Sequence, residues 1–243
     1  MSEALLLALL VFVAAILYSS VGHGGASGYL AAMALFSLGP EVMRPTALVL
    51  NILVASVGAY RFYRVGGFSW RVFWPFALGS IPFAFLGGTI SLPGQLYRQV
   101  LGVVLVFAAF RLVINKTRDI SEIKTPPLLL AILLGAGVGL LAGLTGVGGG
   151  IFLTPLLLFA AWATSRQASG ISAAFILVNS IAGLGGQLTR LQFIPNDIYL
   201  WAGAALLGSL IGTELGTRRL SSLAFRRLLA FVLLIASYKL IFT

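Results

Sequence analysis

The chain has 243 residues, of which 59% are hydrophobic and 9% are charged, and its mean hydropathy is +1.04. The surface of a soluble protein requires roughly a quarter of its residues to be charged. Composition therefore excludes an ordinary soluble protein and predicts an all-α polytopic membrane protein. The chain contains no cysteine, which excludes disulfides and thiolate metal sites. We attribute its net charge of +10 to membrane topology and lipid headgroups, and we expect no nucleic-acid partner.

Ten apolar segments follow one another along the chain, five in each half. They cover residues 3–21, 26–38, 45–63, 71–90 and 97–114, then 126–145, 150–163, 168–189, 197–217 and 223–242. A membrane-spanning helix needs about 20 residues, each contributing a rise of about 1.5 Å. The second and seventh segments, with about 13 or 14 residues, are too short to span, and we predict half-helices there.

A glycine cluster precedes each of these two short segments. The first glycine cluster (residues 22–25) reads Gly-His-Gly-Gly, and the second (residues 146–150) reads Gly-Val-Gly-Gly-Gly. Consecutive glycines are costly to order and easy to bend, so we predict a helix break at each cluster. A break at membrane depth leaves backbone groups that must find protein, water or a solute as partner. For Gly135, Gly139 and Gly143, at four-residue spacing, close helix packing is the favoured interpretation.

The two halves also match beyond the clusters. With a shift of 124 to 129 residues, Asn51 matches Asn179, Gly58 matches Gly186, Gly79 and Ser80 match Gly208 and Ser209, Gly87 matches Gly216, Arg98 matches Arg226, and Arg111 matches Lys239. We predict a membrane repeat over residues 1–114, a linker over residues 115–125, and a second repeat over residues 126–243. Because each repeat has five segments, an odd number, the repeats have inverted topology.

The distribution of lysine and arginine predicts the orientation in the membrane. With ten crossings, twelve basic residues fall on one side: Arg61, Arg64, Arg71, Arg111, Lys116, Arg118, Lys124, Arg166, Arg218, Arg219, Arg226 and Arg227. The other four are Arg44, Arg98, Arg190 and Lys239. The basic side should be cytoplasmic. We therefore expect a multi-pass protein of the cell (inner or plasma) membrane, with the linker inside and both termini outside.

The stretch from Ala142 to Pro155, AGLTGVGGGIFLTP, resembles the signature of the TauE/SafE family, also called the 4-toluene sulfonate uptake permease family. The first half carries a looser counterpart, SVGHGG, at residues 20–25. The duplicated, short chain is similar to that family over nearly its whole length. The resemblance implies a secondary transporter of sulfite, sulfonates or related small anions.

The residues themselves also favour an anion. Each short segment begins after a glycine cluster, so its unpaired N–H groups and positive dipole end face the break, and glycine lets a solute approach the backbone closely. We predict alternating access around these breaks. The candidate substrate-binding residues are Ser20, Gly22, His23, Gly24, Gly25, Asn51, Thr145, Gly146, Val147, Gly148, Gly149, Gly150, Asn179 and Gln187.

Four polar side chains have competing interpretations. His23, the single histidine, is a solvated loop residue, an anion contact or a proton-coupling group. Asn51 and Asn179 lie at matching mid-segment positions and either bond a neighbouring helix or contact substrate. Glu214 is a second proton-coupling candidate, although an ion pair with Arg218 four residues later is favoured.

Enzyme motifs are absent from the sequence, which has neither a Walker lysine nor a His-Glu-x-x-His pair, so we predict no enzymatic activity, no cofactor and no metal site. Two alternatives to a carrier stay open. One is an ion channel, because residues 20–24 resemble the Thr-Val-Gly-Tyr-Gly filter of potassium channels, although that filter needs four copies. The other is a non-transporting membrane scaffold subunit. A homo-oligomer is compatible with all three.

Overall fold

The computed structural model describes residues 3–114, 123–188, 195–218 and 223–242. These residues form ten α-helices and no strand. The helices are α1 (Glu3–Ser19), α2 (Ala26–Leu35), α3 (Pro40–Arg64), α4 (Trp70–Thr89), α5 (Gly94–Ile114), α6 (Leu128–Thr145), α7 (Gly150–Phe159), α8 (Ser165–Gln187), α9 (Ile198–Arg218) and α10 (Leu223–Phe242). The all-helical class expected from composition is confirmed, whereas residues 115–122 of the expected linker and Arg190 lie outside the described residues.

Five of the described helices are long and apolar enough to cross a membrane on their own, namely α3, α4, α6, α8 and α9. Large apolar side chains cover outward faces of the bundle, for example Val103, Leu129 and Leu133, each at least 60% exposed. An outer surface of this kind is stable against lipid and unstable in water. The sequence pattern predicts that most of the ten segments are long enough to span. By length and apolarity, five of the ten described helices meet this requirement.

The two short helices α2 and α7 have ten residues each, shorter than the 13 or 14 predicted. At about 1.5 Å per residue, each covers about 15 Å, half of a hydrocarbon core about 30 Å thick. Each begins directly after a glycine with left-handed backbone, Gly25 at φ +93° and Gly149 at φ +83°. A residue with a Cβ rarely adopts that conformation, so glycine is what permits the chain to turn there.

Glycines also set the closest helix contacts. On α6, a methyl group placed on Gly139 would lie 2.2 Å from the carbonyl oxygen of Ser80, and Gly135 and Gly143 likewise abut the α4 backbone. On α9, Gly212 approaches the carbonyl oxygen of Ile16 in α1 in the same way, at 2.3 Å. The packing interpretation of the α6 glycines is therefore confirmed: their missing side chains allow two helix backbones to touch.

Helices α3 and α8 cross at the centre of the molecule. A methyl on Gly58 would contact Cβ of Ala173 at 3.4 Å, and one on Gly183 would contact Leu48 at 3.7 Å. Residue numbers rise along α3 as they fall along α8, so the helices run antiparallel. This register places Asn51 level with the consecutive residues Asn179 and Ser180, and it brings three polar residues together at the helix crossing.

Candidate functional site

The two glycine clusters meet at the α3/α8 crossing although they are more than a hundred residues apart in sequence. A methyl group on Gly24 would lie 2.5 Å from Asn51 Oδ1, and one on Gly148 would lie 2.8 Å from Asn51 Nδ2. Both positions are also 2.9 Å from the same methyl carbon of Ile176. Asn51 is completely buried and therefore stands between the clusters. We call this group the central site: Gly24, Gly148, Asn51, Ile176 and Ser180.

The clusters present backbone donors at the central site. Within the described part of the chain, the N–H groups of Gly24, Gly25 and Ala26 make no hydrogen bond to backbone, and neither do those of Gly148, Gly149 and Gly150. They belong to the residues that precede or open α2 and α7, where the helical hydrogen-bond pattern supplies no acceptor. The central site thus combines two rows of unpaired N–H groups with the positive ends of two helix dipoles.

The side-chain amides at the crossing have oxygen atoms that accept no hydrogen bond from the described residues. Asn51 donates from Nδ2 to the carbonyl of Val147 at 3.4 Å, and Asn179 donates from Nδ2 to the carbonyl of Phe175 at 2.8 Å. Both Oδ1 atoms are buried and lack a partner among the described residues, as does Ser180 Oγ. Unpaired polar atoms in a membrane interior are costly and are typical of a place where water or a solute binds.

His23 connects the first glycine cluster to the second half of the chain. Its Nδ1 lies 3.1 Å from the carbonyl oxygen of Val21, and its Nε2 lies 3.3 Å from Thr154 Oγ1 in α7. Thr154 Oγ1 lies 2.7 Å from Ser172 Oγ in α8. His23 is only partly buried, whereas Thr154 and Ser172 are buried. The imidazole is thus part of a polar chain that reaches from α1 to α8.

Ser20 and Thr145 have local structural roles. Ser20 Oγ donates to the carbonyl of Leu17 at 2.7 Å, and Thr145 Oγ1 donates to that of Leu141 at 2.7 Å. Thr145 Oγ1 also accepts from the N–H of Val147 at 3.4 Å. These contacts stabilise the ends of α1 and α6, from which the chain enters each glycine cluster. The two hydroxyls are therefore used locally and not at the central site.

Gln187 and Glu214 lie away from the central site. Gln187 is eight residues beyond Asn179 on α8, about 12 Å along the helix, where neighbouring Gly186 packs against Gly88 at the end of α4. Glu214 forms a salt bridge with Arg61 of α3, 2.9 Å between Nη1 and Oε2, whereas the expected partner Arg218 has a side chain outside the described set. The salt bridge ties the ends of α3 and α9 together.

Arg44 is a buried charge, although the sequence places it outside the apolar segments, among the four basic residues of one membrane side. It is 8% exposed, and its Nε and Nη1 donate to the carbonyls of Gly143 at 2.9 Å and Ile90 at 2.8 Å. Nη2 donates to the carbonyls of Gly87 and Gly143. Within the described residues it forms no salt bridge. The guanidinium instead neutralises the negative ends of α4 and α6. The sequence signal that could have indicated this burial is a basic residue that lies one turn after Pro40 and is flanked by apolar residues.

An apolar groove between α4 and α8 is a separate feature of the surface. It has a volume of about 670 Å³ and is lined by residues including Ile81, Phe85, Val178 and Ile181. Its exposed wall carries no polar atom that could hold an anion, and it faces the lipid side of the bundle. The groove is therefore an apolar surface feature that is distinct from the polar central site. Among the described residues, no group of three or more metal-binding side chains occurs either.

A bundle of apolar helices with a polar centre made from opposed helix ends is the architecture of a membrane transport protein. The family model described as sulfite exporter TauE/SafE matches residues 7–240. The chain belongs to the TauE/SafE family. It is 40% identical to the probable membrane transporter protein y4hK of Sinorhizobium fredii over 99% of each chain.

Two more distant relatives carry the same description. The chain is 27% identical to the probable membrane transporter protein YjnA of Bacillus subtilis, over 90% of this chain and 92% of the relative. It is 29% identical to the probable membrane transporter protein MJ0441 of Methanocaldococcus jannaschii, over 76% of this chain and 73% of the relative. No solved structure matches the chain. These findings confirm the family resemblance and support a membrane transport role.

Proposed function

We propose that this protein is a secondary transporter that carries a small sulfur-containing oxyanion, such as sulfite or an organosulfonate, through alternating access at the central site. The observation that carries the proposal is the meeting of the two glycine clusters at Asn51, with unpaired N–H groups from both. An oxyanion has several oxygens and can accept hydrogen bonds from both rows at once. The description of the family as sulfite exporters favours sulfur among the possible oxyanions.

Inverted repeats are the second part of the proposal, and the helix pairing supports them. If α1 to α5 are equivalent to α6 to α10, then the α4/α6 pair corresponds to the α9/α1 pair, and both are close glycine contacts. The α3/α8 and α5/α10 pairs each unite equivalent helices. In the α3/α8 pair, the matching residues Asn51 and Asn179 lie beside the crossing point. A pseudo-two-fold axis in the membrane plane accounts for all of these pairings.

Alternating access follows from this symmetry. The first glycine cluster packs against the first turns of α8, where Gly22 abuts Ser169, and the second packs against the first turns of α3, where Gly146 abuts Arg44. The clusters therefore close the central site from opposite ends of the bundle. A movement that opens one contact while the other stays packed exposes the anion to one side at a time.

Charge at the central site is consistent with an anion. Arg44 lies seven residues before Asn51, two turns or about 10 Å along α3. At an effective dielectric constant of about 20, a positive charge at that distance favours a monovalent anion by roughly 1–2 kcal/mol. The buried positive charge and the helix N-termini therefore act in the same direction.

Thermal unfolding of the purified full chain with sulfite, sulfate, thiosulfate, methanesulfonate or acetate tests the proposal. A ligand at 100 times its Kd stabilises the folded protein by about 2.7 kcal/mol. The Gly24→Ala substitution should remove most of that stabilisation, because the new methyl would lie 2.5 Å from Asn51 Oδ1 and displace the amide. Gly137→Ala is the matched control, since a methyl there meets nothing within 4 Å.

Two outcomes would contradict the proposal. A wild-type protein that no anion stabilises is not an anion carrier of this kind. If an anion stabilises the wild type and Gly24→Ala equally, the binding site lies elsewhere. Flux into proteoliposomes separates carrier from channel, because a carrier shows slow saturable turnover and a channel passes ionic current.

A further inference from the structure

Thr154 of α7 has one hydroxyl proton but several hydrogen-bond neighbours. Its Oγ1 lies 3.3 Å from His23 Nε2, 3.0 Å from the carbonyl oxygen of Gly150, and 2.7 Å from Ser172 Oγ. A threonine hydroxyl can donate only once, although it accepts through two lone pairs. The hydroxyl therefore cannot donate to His23 and to Gly150 at the same time, and one of the two bonds depends on the state of the imidazole.

The tautomer of neutral His23 is determined by its other nitrogen. Nδ1 faces the carbonyl oxygen of Val21 at 3.1 Å, and a carbonyl can only accept, so Nδ1 carries the proton. In neutral His23, Nε2 is then an acceptor, and the Thr154 hydroxyl donates to it while Ser172 can donate to Thr154. In protonated His23, Nε2 becomes a donor to Thr154 Oγ1. The Thr154 hydroxyl is thereby released to donate to Gly150, the last residue of the second glycine cluster.

We infer that the anion is carried together with a proton held at His23, and that Thr154, held in place by Ser172, transmits the protonation state of His23 to the second glycine cluster. This inference rests on the proposed function and adds its coupling ion. The proton comes from water and binds to Nε2, and the Thr154 hydroxyl then turns from Nε2 to the Gly150 carbonyl. Thr154 and Ser172 are positioning residues, since they act through His23 and the cluster.

The surroundings of His23 are compatible with this coupling. The titratable groups that face His23 include the Tyr18 phenol of α1, whose ring centroid lies 6.3 Å from that of the imidazole. The Tyr29 phenol of α2 lies against nearby Gly25. Helix α7 contains no titratable side chain, and Arg166, the charged residue of α8, packs its stem against Gly67. A proton on His23 therefore places a positive charge beside the N-terminus of α2, and an oxyanion there neutralises it.

Binding of proton and anion must then be mutually favourable. By thermodynamic reciprocity, protonation that raises anion affinity requires that the anion raise proton affinity by the same factor. In the pH range where His23 titrates, anion affinity should fall with rising pH, by up to tenfold per pH unit. Each bound anion should take up a fraction of a proton, which is largest at a pH where His23 is mostly neutral in the free protein and still mostly protonated beside the anion.

The test uses the purified, tag-free full chain and methanesulfonate, which stays ionised between pH 5.5 and 8.5, that is, over about the range in which histidine titrates. Calorimetry in buffers of different ionisation enthalpy gives the number of protons taken up. Because the chain has a single histidine, nitrogen-15 histidine labelling reports its tautomer and protonation directly. We expect the Nδ1–H tautomer when neutral, and a larger protonated fraction after methanesulfonate is added at constant pH.

Three variants separate the effect of the relay, that is, His23, Thr154 and Ser172, from effects on the stability of the protein. His23→Gln should bind methanesulfonate with no proton uptake. Thr154→Val should reduce proton uptake at least twofold, and Thr154→Ser should restore it. Thr213→Val is the matched control, because Thr213 is also buried and also donates to the carbonyl four residues earlier, Ser209 at 2.6 Å, but lies in α9 away from His23. It should leave proton uptake unchanged.

The outcomes distinguish this inference from the proposed function. Methanesulfonate binding without proton uptake in the wild type overturns proton coupling and leaves the anion carrier intact. Proton uptake that survives in His23→Gln, or that Thr154→Val leaves at the wild-type value, overturns the role of the relay. A wild-type protein for which none of the screened anions gives measurable binding at any pH contradicts the proposed function itself. If Thr154→Val fails to fold, Ser172→Ala replaces it with the same expected reduction.

Discussion

At the scale of single residues, Asn51 is the residue on which the central site depends. Its Nδ2 is bonded to Val147 of the second glycine cluster and its Oδ1 lies against Gly24 of the first. Asn51 therefore has a polar atom against each cluster, and its amide couples the position of one cluster to that of the other. The amide nitrogen bonds the second cluster while the buried Oδ1 has no partner among the described residues, so the two interpretations open at the sequence level, structural bond and substrate contact, are not exclusive.

We predict that Asn51→Ala weakens anion affinity at least tenfold while lowering the stability of the protein by only about 1 kcal/mol. The stability cost is small because the lost bond to Val147 is long, whereas affinity depends on the alignment of both clusters. Thermal unfolding with and without methanesulfonate measures both quantities. Ser237→Ala is the control: it removes a comparable buried bond, to the carbonyl of Gly102 at 2.9 Å, and should leave affinity unchanged.

Arg44 shows a second role for single residues, the neutralisation of helix ends. Arg44→Lys should lower stability by about 2–4 kcal/mol, because an ammonium group cannot reach three carbonyls on two helices and at least one buried carbonyl loses its donor. Arg98→Lys, at an exposed position on α5, should change stability by less than about 0.5 kcal/mol. Equal unfolding temperatures for the two variants would show that the Arg44 contacts do not contribute to stability.

Several residue-scale features could be predicted from the sequence and others could not. Asn51 and Asn179 were identifiable because polar residues in apolar segments are costly and therefore informative. The Thr154 contact with His23 was not, since it joins residues 131 positions apart and depends on the packing of two short helices. The burial of Arg44 was not predicted, because the third apolar segment was placed from residue 45 onward, whereas α3 begins at Pro40 and includes Arg44.

At the scale of secondary-structure elements, glycine has two different functions in this chain. In the clusters it permits left-handed backbone and brings N–H groups to the central site. In α6 and α9 it permits backbone contact between helices. The sequence separates these functions by spacing, since the consecutive glycines lie between helices and the glycines four residues apart form a packing face. The sequence overestimates the lengths of α2 and α7, because apolar residues continue beyond the C-terminal end of each helix.

Two neighbouring glycines of α6 provide a sharp test of the packing role. Gly139→Ala should destabilise the protein by more than about 2 kcal/mol, because its methyl would lie 2.2 Å from the Ser80 carbonyl oxygen and would force α4 and α6 apart. Gly137→Ala, on the same helix with open space around it, should be neutral or slightly stabilising, since alanine favours helix over glycine by about 1 kcal/mol. Similar effects of the two substitutions would mean that α4 and α6 are not in backbone contact.

At the scale of the whole molecule, the structure groups charged residues at the ends of the bundle. Arg61 is paired with Glu214 where α3 and α9 end, and Arg166 packs on Gly67 at the start of α8. Lys124 begins the second half beside Ala161, to whose carbonyl its N–H donates at 2.8 Å. Lys239 caps α2 by donating to the carbonyl of Leu35 at 2.9 Å. Arg44, although buried, also lies at helix ends, where it donates to carbonyls at the C-termini of α4 and α6.

The last prediction concerns orientation in the membrane, for which the distribution of lysine and arginine is the guide. Glu3 and Lys124 are both exposed, and the chain has no native cysteine, so Glu3→Cys and Lys124→Cys each give a single reactive thiol. We expect Glu3→Cys to react with a membrane-impermeant maleimide in intact cells, and Lys124→Cys to react only after the membrane is opened. Five helices separate these positions, and the glycine-linked pair α1 and α2 counts as two crossings or, as a re-entrant hairpin, as none. The number of crossings is odd in either case, which places the two thiols on opposite sides. Reaction of both thiols from the same side would imply an even number of crossings in the first repeat, and inverted topology would then be lost together with the alternating-access mechanism that depends on it.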